Sequence, residues 1–357
     1  MARKRRRYIK KKSAKTGLPP GSLVLVGDEQ EEKVKISVVR YSESSVESVE
    51  SCMPEQCGTV PGQITWVRVC GLKDSGVIKN IGDMFGIHPL TMEDIMNTDH
   101  LPKMNNFGEY IFIILKSLHE DNPGDGEVDS QQVNVILGRD YVISFQEKDD
   151  DLFKPIMYRL KTETARFHDL GTGYLAYALI DVVVDNYFEV LEKIDNAIYS
   201  LEEVTSSQYD EGTLQTIRAL RREVITVRRA AWPLREVISN LQKRETNLIK
   251  ESSSVYLSDV YDHVVQIIDT TETFREILSN IFDIFLTGIS NRINAVMKVL
   301  ASIATIIMPM TLVTGLYGMN FKFMPELRWK FGYPMAISLM IFFAVTMFLT
   351  FKKNKWL

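Results

Sequence analysis

The residues best placed to do chemistry are carboxylates at helical spacing. Asp181, Asp185, Glu189 and Glu192 follow one another at intervals of 4, 4 and 3, which puts four like charges on one helix face at mutual cost. Two groups can offset them. The next helical segment carries Arg218, Arg221, Arg222, Arg228, Arg229 and Arg235 and can pair antiparallel with the stripe; the other candidates are divalent cations held by the acids themselves. His263 lies one turn after Asp259, so both can join one cluster, although a lone histidine on a helix is usually structural. Cys52, Cys57 and Cys70 make an odd count with no histidine at zinc-finger spacing, which argues against a disulfide framework and a structural zinc and for reduced thiols. No Gly-rich phosphate loop, metalloprotease His-Glu pair or nucleophile motif is present, so an enzyme is not expected.

These residues sit in a chain of 357 residues that is 45% hydrophobic and 25% charged, with a mean hydropathy near zero. It is neither polytopic nor disordered as a whole. The net charge of -4 hides an asymmetry, because nine of the 42 basic residues lie in Met1 to Lys15, where there is no acid. The rest of the chain is acidic. With only Tyr8 as an aromatic, the basic run reads as a solvated, disordered tail, in water or near anionic lipid; no nucleic-acid partner is expected.

Two uncharged runs, Val299 to Met319 and Tyr333 to Phe351, each approach the ~20 apolar residues that a bilayer span needs. The 13 residues between them make a hairpin, so both chain ends lie on one side. Lys352, Lys353 and Lys355 after the second span, and Arg292 and Lys298 before the first, place that side in the cytoplasm of the cell membrane. No apolar stretch follows the basic run to export the body of the protein.

Before the spans, Leu23 to Val26, Val34 to Val39, Ile64 to Val69 and Tyr110 to Leu118 read as strands, with Val133 to Leu137 and Tyr141 to Phe145 as a hairpin. Asp74 to Phe85 and Pro89 to Met96 have helical spacing. Later segments are helical: Thr172 to Val204 and Gly212 to Arg244 form a hairpin turning at Ser206-Ser207, and one helix of 62 residues runs from Val255 to Leu316. The fold class is therefore α+β with a membrane part. Its expected parts are a basic tail (1–16), an α/β domain (17–150), a helical hairpin region (151–253), a stalk helix (254–298), the first span (299–319), an outer loop (320–332), the second span (333–351) and a basic C-terminus (352–357).

Two membrane helices cannot enclose a pore, so conduction would need several copies around an axis with one stripe of the first span facing inward. Asn294, Met297, Ala301, Ala304, Met308, Thr311 and Gly315 fall at alternating intervals of 3 and 4, the repeat that keeps a seam on an axis. Small and weakly polar residues also serve as plain helix-packing contacts. Pro309 lacks an N–H and leaves the Thr305 carbonyl without its helical donor.

The first span ends in Tyr317-Gly318-Met319-Asn320, followed by Met324-Pro325-Glu326-Leu327, the last span and a Lys-rich end. With Gly17-Leu18-Pro19-Pro20-Gly21, Phe85-Gly86-Ile87-His88-Pro89-Leu90, Glu93-Asp94-Ile95, Trp232-Pro233-Leu234-Arg235-Glu236 and Asp259-Val260-Tyr261-Asp262-His263, this arrangement resembles the CorA family of magnesium channels over nearly the whole chain. The resemblance implies a homopentameric funnel, with a pore lined by the first span and a selectivity filter at Gly318, Met319 and Asn320. It also implies a closed gate near Met297 and Leu300, one residue from the Ala301 that the heptad arithmetic selects. It further implies regulatory magnesium held across subunits by Asp94 and Asp259, with Glu93 and Asp181 as secondary ligands. Magnesium dehydrates reluctantly, so a ring of Asn320 amides and Gly318 or Met319 carbonyls suits its hydrated form, and weak binding suits conduction. The alternative at Asn320 is a helix cap bonded to its own loop. Glu326 would concentrate cations at the outer mouth, and Lys352, Lys353 and Lys355 would collar the inner mouth or simply anchor the helix with Trp356. Cobalt and nickel form similar hexahydrates. The rival readings are a zinc or other divalent transporter of the same two-span family and a membrane-anchored metal sensor that conducts nothing.

Overall fold

The computed structural model describes residues 17–26, 34–120, 128–205, 210–243, 248–320, 322, 324–325, 329–354 and 356. Seven strands form one sheet: β1 (Lys35–Tyr41), β2 (Val46–Val49), β3 (Ile64–Cys70), β4 (Lys103–Asn106), β5 (Ile111–Glu120), β6 (Val128–Leu137) and β7 (Tyr141–Gln146). Their order is β2-β1-β3-β7-β6-β5-β4. Neighbours are antiparallel except β3 and β7, which run parallel with Val67 opposite Ile143.

Burial on both faces explains why Ile111 to Leu115 of β5 form an unbroken apolar run rather than an alternating one. On one face Val38, Val67, Val69, Phe112, Ile114, Ile143 and Phe145 pack with Ile78 and Ile81 of α1 (Ser75–Met84) and with Met92, Ile95 and Met96 of α2 (Pro89–Met96). Asp74 caps α1 by accepting from the Gly76 and Val77 amides at 2.9 and 3.3 Å. The helices approach so closely at Gly82 that a Cβ there would collide with the Met92 sulfur. On the other face Trp66 meets Phe153 edge-on at 6.0 Å and Tyr41 meets Phe167 at 6.3 Å. Phe153 opens α3 (Lys154–Thr162) and Phe167 belongs to α4 (Thr164–Leu170). The long α5 (Thr172–Thr205) is fixed to β5, where Tyr187 donates to the Lys116 carbonyl at 2.5 Å and Asn186 accepts from the Leu118 amide at 2.9 Å.

Three further helices follow: α6 (Glu211–Gln242), α7 (Glu251–Tyr317) and α8 (Gly332–Lys353). The expected long helix exists and is longer than its periodicity suggested, at 67 residues, on the order of 100 Å at 1.5 Å per residue. The chain divides into two compact units, one holding everything through Glu203 plus Gln215–Leu278, the other holding Val204–Leu214 and Ser279–Leu357. In the first unit α7 is amphipathic, burying Leu257, Val260, Val264, Ile267, Thr271, Phe274 and Leu278 at intervals of 3 or 4.

One local expectation needs correction, two strands form that the spacing does not show, and one expected turn is not described. Leu23 to Val26 is not a strand: Val26 makes one parallel bridge to Asn97 through the Met96 carbonyl and Thr98 amide, while Leu23 and Leu25 turn their side chains to the core. The edge strands β2 and β4 form although their sequences, Val-Glu-Ser-Val and Lys-Met-Asn-Asn, carry little apolar pattern. The Ser206-Ser207 turn lies outside the described residues.

Candidate functional site

Among the described residues, one constellation of metal-ligating atoms forms, within the sheet-bearing unit. Asp181 and Asp185, one turn apart on α5, meet His263 of α7 with all ligand atoms within 4.8 Å of one another. Tyr177 donates to Asp181 Oδ2 at 3.3 Å, and the His263 ring packs edge-on against Phe188. Burial and the neighbouring Asp185 raise the Asp181 carboxyl above the ordinary carboxylate range, against the Tyr177 hydrogen bond. Burial also raises Asp185, with His263 opposing the rise. Crowded carboxylates that resist ionising together are relieved by a cation, and the buried His263 Nδ1 has no partner among the described residues. The donor set therefore fits a divalent ion, with a nitrogen that suits cobalt, nickel or zinc better than magnesium. Asp181 and His263 were legible as candidates; Asp185 was visible only as part of the acidic stripe. Among the described residues, that stripe makes no ion pair with the α6 arginines. Arg228 instead bonds Glu272 of α7 at 2.7 Å.

Asp94 and Glu93 lie together on α2 but do different work within the chain. Glu93 accepts from the Gly21 amide at 2.5 Å, fastening the segment before Val26. Asp94 accepts at both oxygens, with His100 Nε2 at 2.9 Å from Oδ1 and Lys103 Nζ at 2.7 Å from Oδ2. Burial pushes this carboxyl up, but the hydrogen bonds from His100 and Lys103 outweigh it and hold it below the usual range. Asp259 is largely exposed, its carboxylate 4.0 Å from His263 Nε2. Within one protomer the structure does not unite Asp94 with Asp259.

Among the described residues two helices, α7 and α8, are long and apolar enough to cross a membrane, and almost none of their apolar windows is buried. The part of α7 in its apolar run has one shielded side, with Ser302 buried and Ile306, Pro309, Met310, Val313 and Tyr317 half-buried. At about 100° per residue, Met297, Ala301, Ala304, Met308, Thr311 and Gly315 lie on the opposite side, and all are exposed, as are Asn294 and Leu300. Thr305 and Thr314 return their hydroxyls to the Ala301 and Met310 carbonyls. Gly318 follows the last residue of α7: its amide bonds the Thr314 carbonyl at 2.9 Å, and a Cβ there would stand 3.0 Å from that oxygen, so the close approach favours glycine. Met319 and Asn320 are exposed, and the Asn320 amide bonds no described residue; much of the loop that the helix-cap alternative invokes lies outside the described residues. Lys352 and Lys353 are exposed in the last turn of α8, and Trp356 stacks on Phe351 at 5.6 Å. Glu326 and Lys355 lie outside the described residues.

Comparison with known proteins places this geometry. A family profile described as CorA-like Mg2+ transporter protein matches residues 61–353. The chain is 44% identical over 352 residues to the cobalt/magnesium transport protein CorA of Thermotoga maritima, covering 98% of this chain and 99% of that one. The complete structure of the CorA magnesium transporter from Methanocaldococcus jannaschii superposes with a TM-score of 0.78 at 18% identity, covering 90% of this chain and 98% of that one. The ZntB cytoplasmic domain from Vibrio parahaemolyticus matches with a TM-score of 0.57 at 14% identity, covering 72% of this chain and 99% of that one. At such identities the last two likenesses speak to the fold. Profile and sequence identity together decide the family: the chain belongs to the CorA-like Mg2+ transporters.

Proposed function

We propose that this chain assembles into a homopentamer in the cell membrane and conducts hydrated magnesium, with cobalt and nickel as further cargo, into the cytoplasm. Membership of a transporter family, rather than an enzyme family, sets the class. One observation supports the pore most directly. The small and weakly polar seam of α7 is exposed on the side opposite its shielded face and leads to an Asn320 amide without a described partner. Several copies around an axis would cover that seam and bring the Asn320 oxygens and the Gly318 or Met319 carbonyls to the hydration shell, where neutral donors hold a magnesium hexahydrate weakly enough to release it. Met297, Leu300 and Met308 would supply apolar constrictions that close by dewetting. The exposed Lys352 and Lys353 support a cytoplasmic C-terminus.

Regulation would come from the acidic carboxylates. Asp94 of one protomer and Asp259 of its neighbour would share an ion, with Glu93 and Asp181 as secondary ligands. High internal magnesium would then stabilise the closed ring, by as much as its affinities for the two states differ. The nitrogen of His263 gives the zinc-transporter reading its one specific support, since imidazole suits zinc.

Proteoliposomes carrying a magnesium-sensitive dye test the filter. Asn320→Ala should lose flux by more than about tenfold while the assembled particle keeps its size, since one preorganised polar group in a selective site carries effects of that order. Unchanged flux would remove Asn320 from the filter, and faster entry of zinc than of magnesium into wild-type vesicles would favour the rival cargo.

A further inference from the structure

The carboxylate proposed to hold regulatory magnesium is already occupied inside its own chain. Asp94 stands in the last turn of α2, and its main-chain carbonyl is pinned by the Asn97 amide and by Gln132 Nε2, both at 3.2 Å. Its side chain is therefore delivered to one place. There the Lys103 ammonium lies 2.7 Å from Oδ2 and His100 Nε2 2.9 Å from Oδ1. The three side chains are unequally anchored. His100 is a short, rigid ring in the turn that follows α2, with 26% of its side chain exposed, whereas Lys103 comes from the edge strand β4 on a flexible four-carbon stem, with 36% of its side chain exposed. A divalent ion approaching from solvent meets a carboxylate with no free oxygen. Displacing Lys103 is the easier exchange, because an ammonium on a half-exposed stem regains its hydration when it swings out.

We infer that Lys103 is a built-in competitor for regulatory magnesium: it neutralises Asp94 when the ion is absent and must leave when the ion binds, and so sets the magnesium concentration at which the closed state forms. The inference rests on the reading of Asp94 as a regulatory ligand and assigns to Lys103 the part that fixes the threshold. Its sign is opposite to that of a structural role. If Lys103 served to position Asp94, removing it would weaken magnesium binding; if it competes, removing it strengthens binding.

The test is limited chymotrypsin proteolysis of the full-length chain in detergent, stripped with chelator and titrated with magnesium chloride, scoring the concentration that gives half-maximal protection. Lys103→Met should lower that midpoint by about three- to tenfold, the range expected for releasing one half-exposed charge-assisted contact. Lys103→Arg, which keeps the cation, should stay within about twofold of wild type. Asp94→Asn should raise the midpoint more than about tenfold, as loss of a ligand does. A Lys103→Met midpoint that is unchanged or raised, beside a raised Asp94→Asn midpoint, overturns the competitor and leaves the ligand standing. An Asp94→Asn midpoint equal to wild type overturns the ligand and the competitor with it. A variant that only loosens the fold lowers the protected plateau at saturating magnesium without moving the midpoint down, and for Lys103→Met that result also counts against competition.

Discussion

The two ends of α7 both carry apolar residues but treat them differently. From Leu257 to Leu278 the apolar side chains recur on one face and are buried by their own chain. From Ile293 to Leu316, side chains of the same kind are exposed, with Ile293, Met297, Leu300, Met308 and Leu312 each more than half accessible. In the first stretch the sequence contains its own solvent-excluding partners, so hydrophobic burial is completed within the protomer. In the second the covering must come from lipid and from other copies of the chain, because an exposed apolar stripe of this length is not stable in water. The same helix is thus a folding element at one end and an assembly element at the other.

The comparison sharpens first in the sheet-bearing unit, where substitutions should act through the fold. Trp66 is fully buried, its indole N–H donates to Ser144 Oγ at 3.0 Å and its ring meets Phe153. Trp66→Ala removes a large packed ring and leaves the serine hydroxyl without that donor, so urea denaturation followed by near-UV circular dichroism should show a loss of about 3–5 kcal/mol. A loss below about 1 kcal/mol would mean that the two-faced sheet is not the cooperative core, and the contrast with the membrane end would fail.

How much of this was legible follows the same division. Elements whose apolar residues face their own chain were readable from spacing: α2 appears with the bounds that its periodicity gives, and β7 differs by one residue. The edge strands were not readable, because β4 owes its place to pairing with β5, Asn105 opposite Phe112, rather than to side-chain pattern. The same cause hid the Lys103 contact. Nothing in the spacing of Asp94, His100 and Lys103 shows that the turn after α2 folds both bases back onto one carboxylate. Likewise Asp185 and His263 are far apart in sequence and converge only because α5 and α7 pack in one unit. The Gly318-Met319-Asn320 tripeptide was recognisable by family resemblance, whereas the reason for its glycine, the close Thr314 carbonyl, required coordinates.

A smaller effect should follow from the joint between α5 and β5. Tyr187 is fully buried and its hydroxyl donates to the Lys116 carbonyl, and Lys116 in turn reaches the Thr98 carbonyl at 2.8 Å, just beyond α2. Tyr187→Phe keeps the ring and its packing, so only the hydrogen bond is lost. The expected cost is about 1–2 kcal/mol in the same denaturation assay, with a buried carbonyl left short of a donor. If the variant were as stable as wild type, the ring alone would hold α5 to the sheet.

The smallest stability effect should come from the membrane end. Met308 is 69% exposed on the seam side of α7, so within one chain Met308→Ser gives up almost no packing. Its helix keeps the same backbone bonds, and a serine there can return its hydroxyl to the preceding turn as Thr305 and Thr314 already do. The denaturation midpoint of the sheet-bearing unit should therefore stay within about 0.5 kcal/mol of wild type. Any consequence has to be felt by whatever covers the seam. If other copies cover it, replacing a bulky apolar ring of five side chains with small polar ones should wet the constriction, and magnesium flux into vesicles should become less sensitive to closure by internal magnesium. If lipid covers it, flux should not change, and the cost should appear as weaker insertion or assembly of the particle. Unchanged stability with altered closure would separate the two ends of α7 most directly, because one substitution would then act only on the surface that the protomer leaves open.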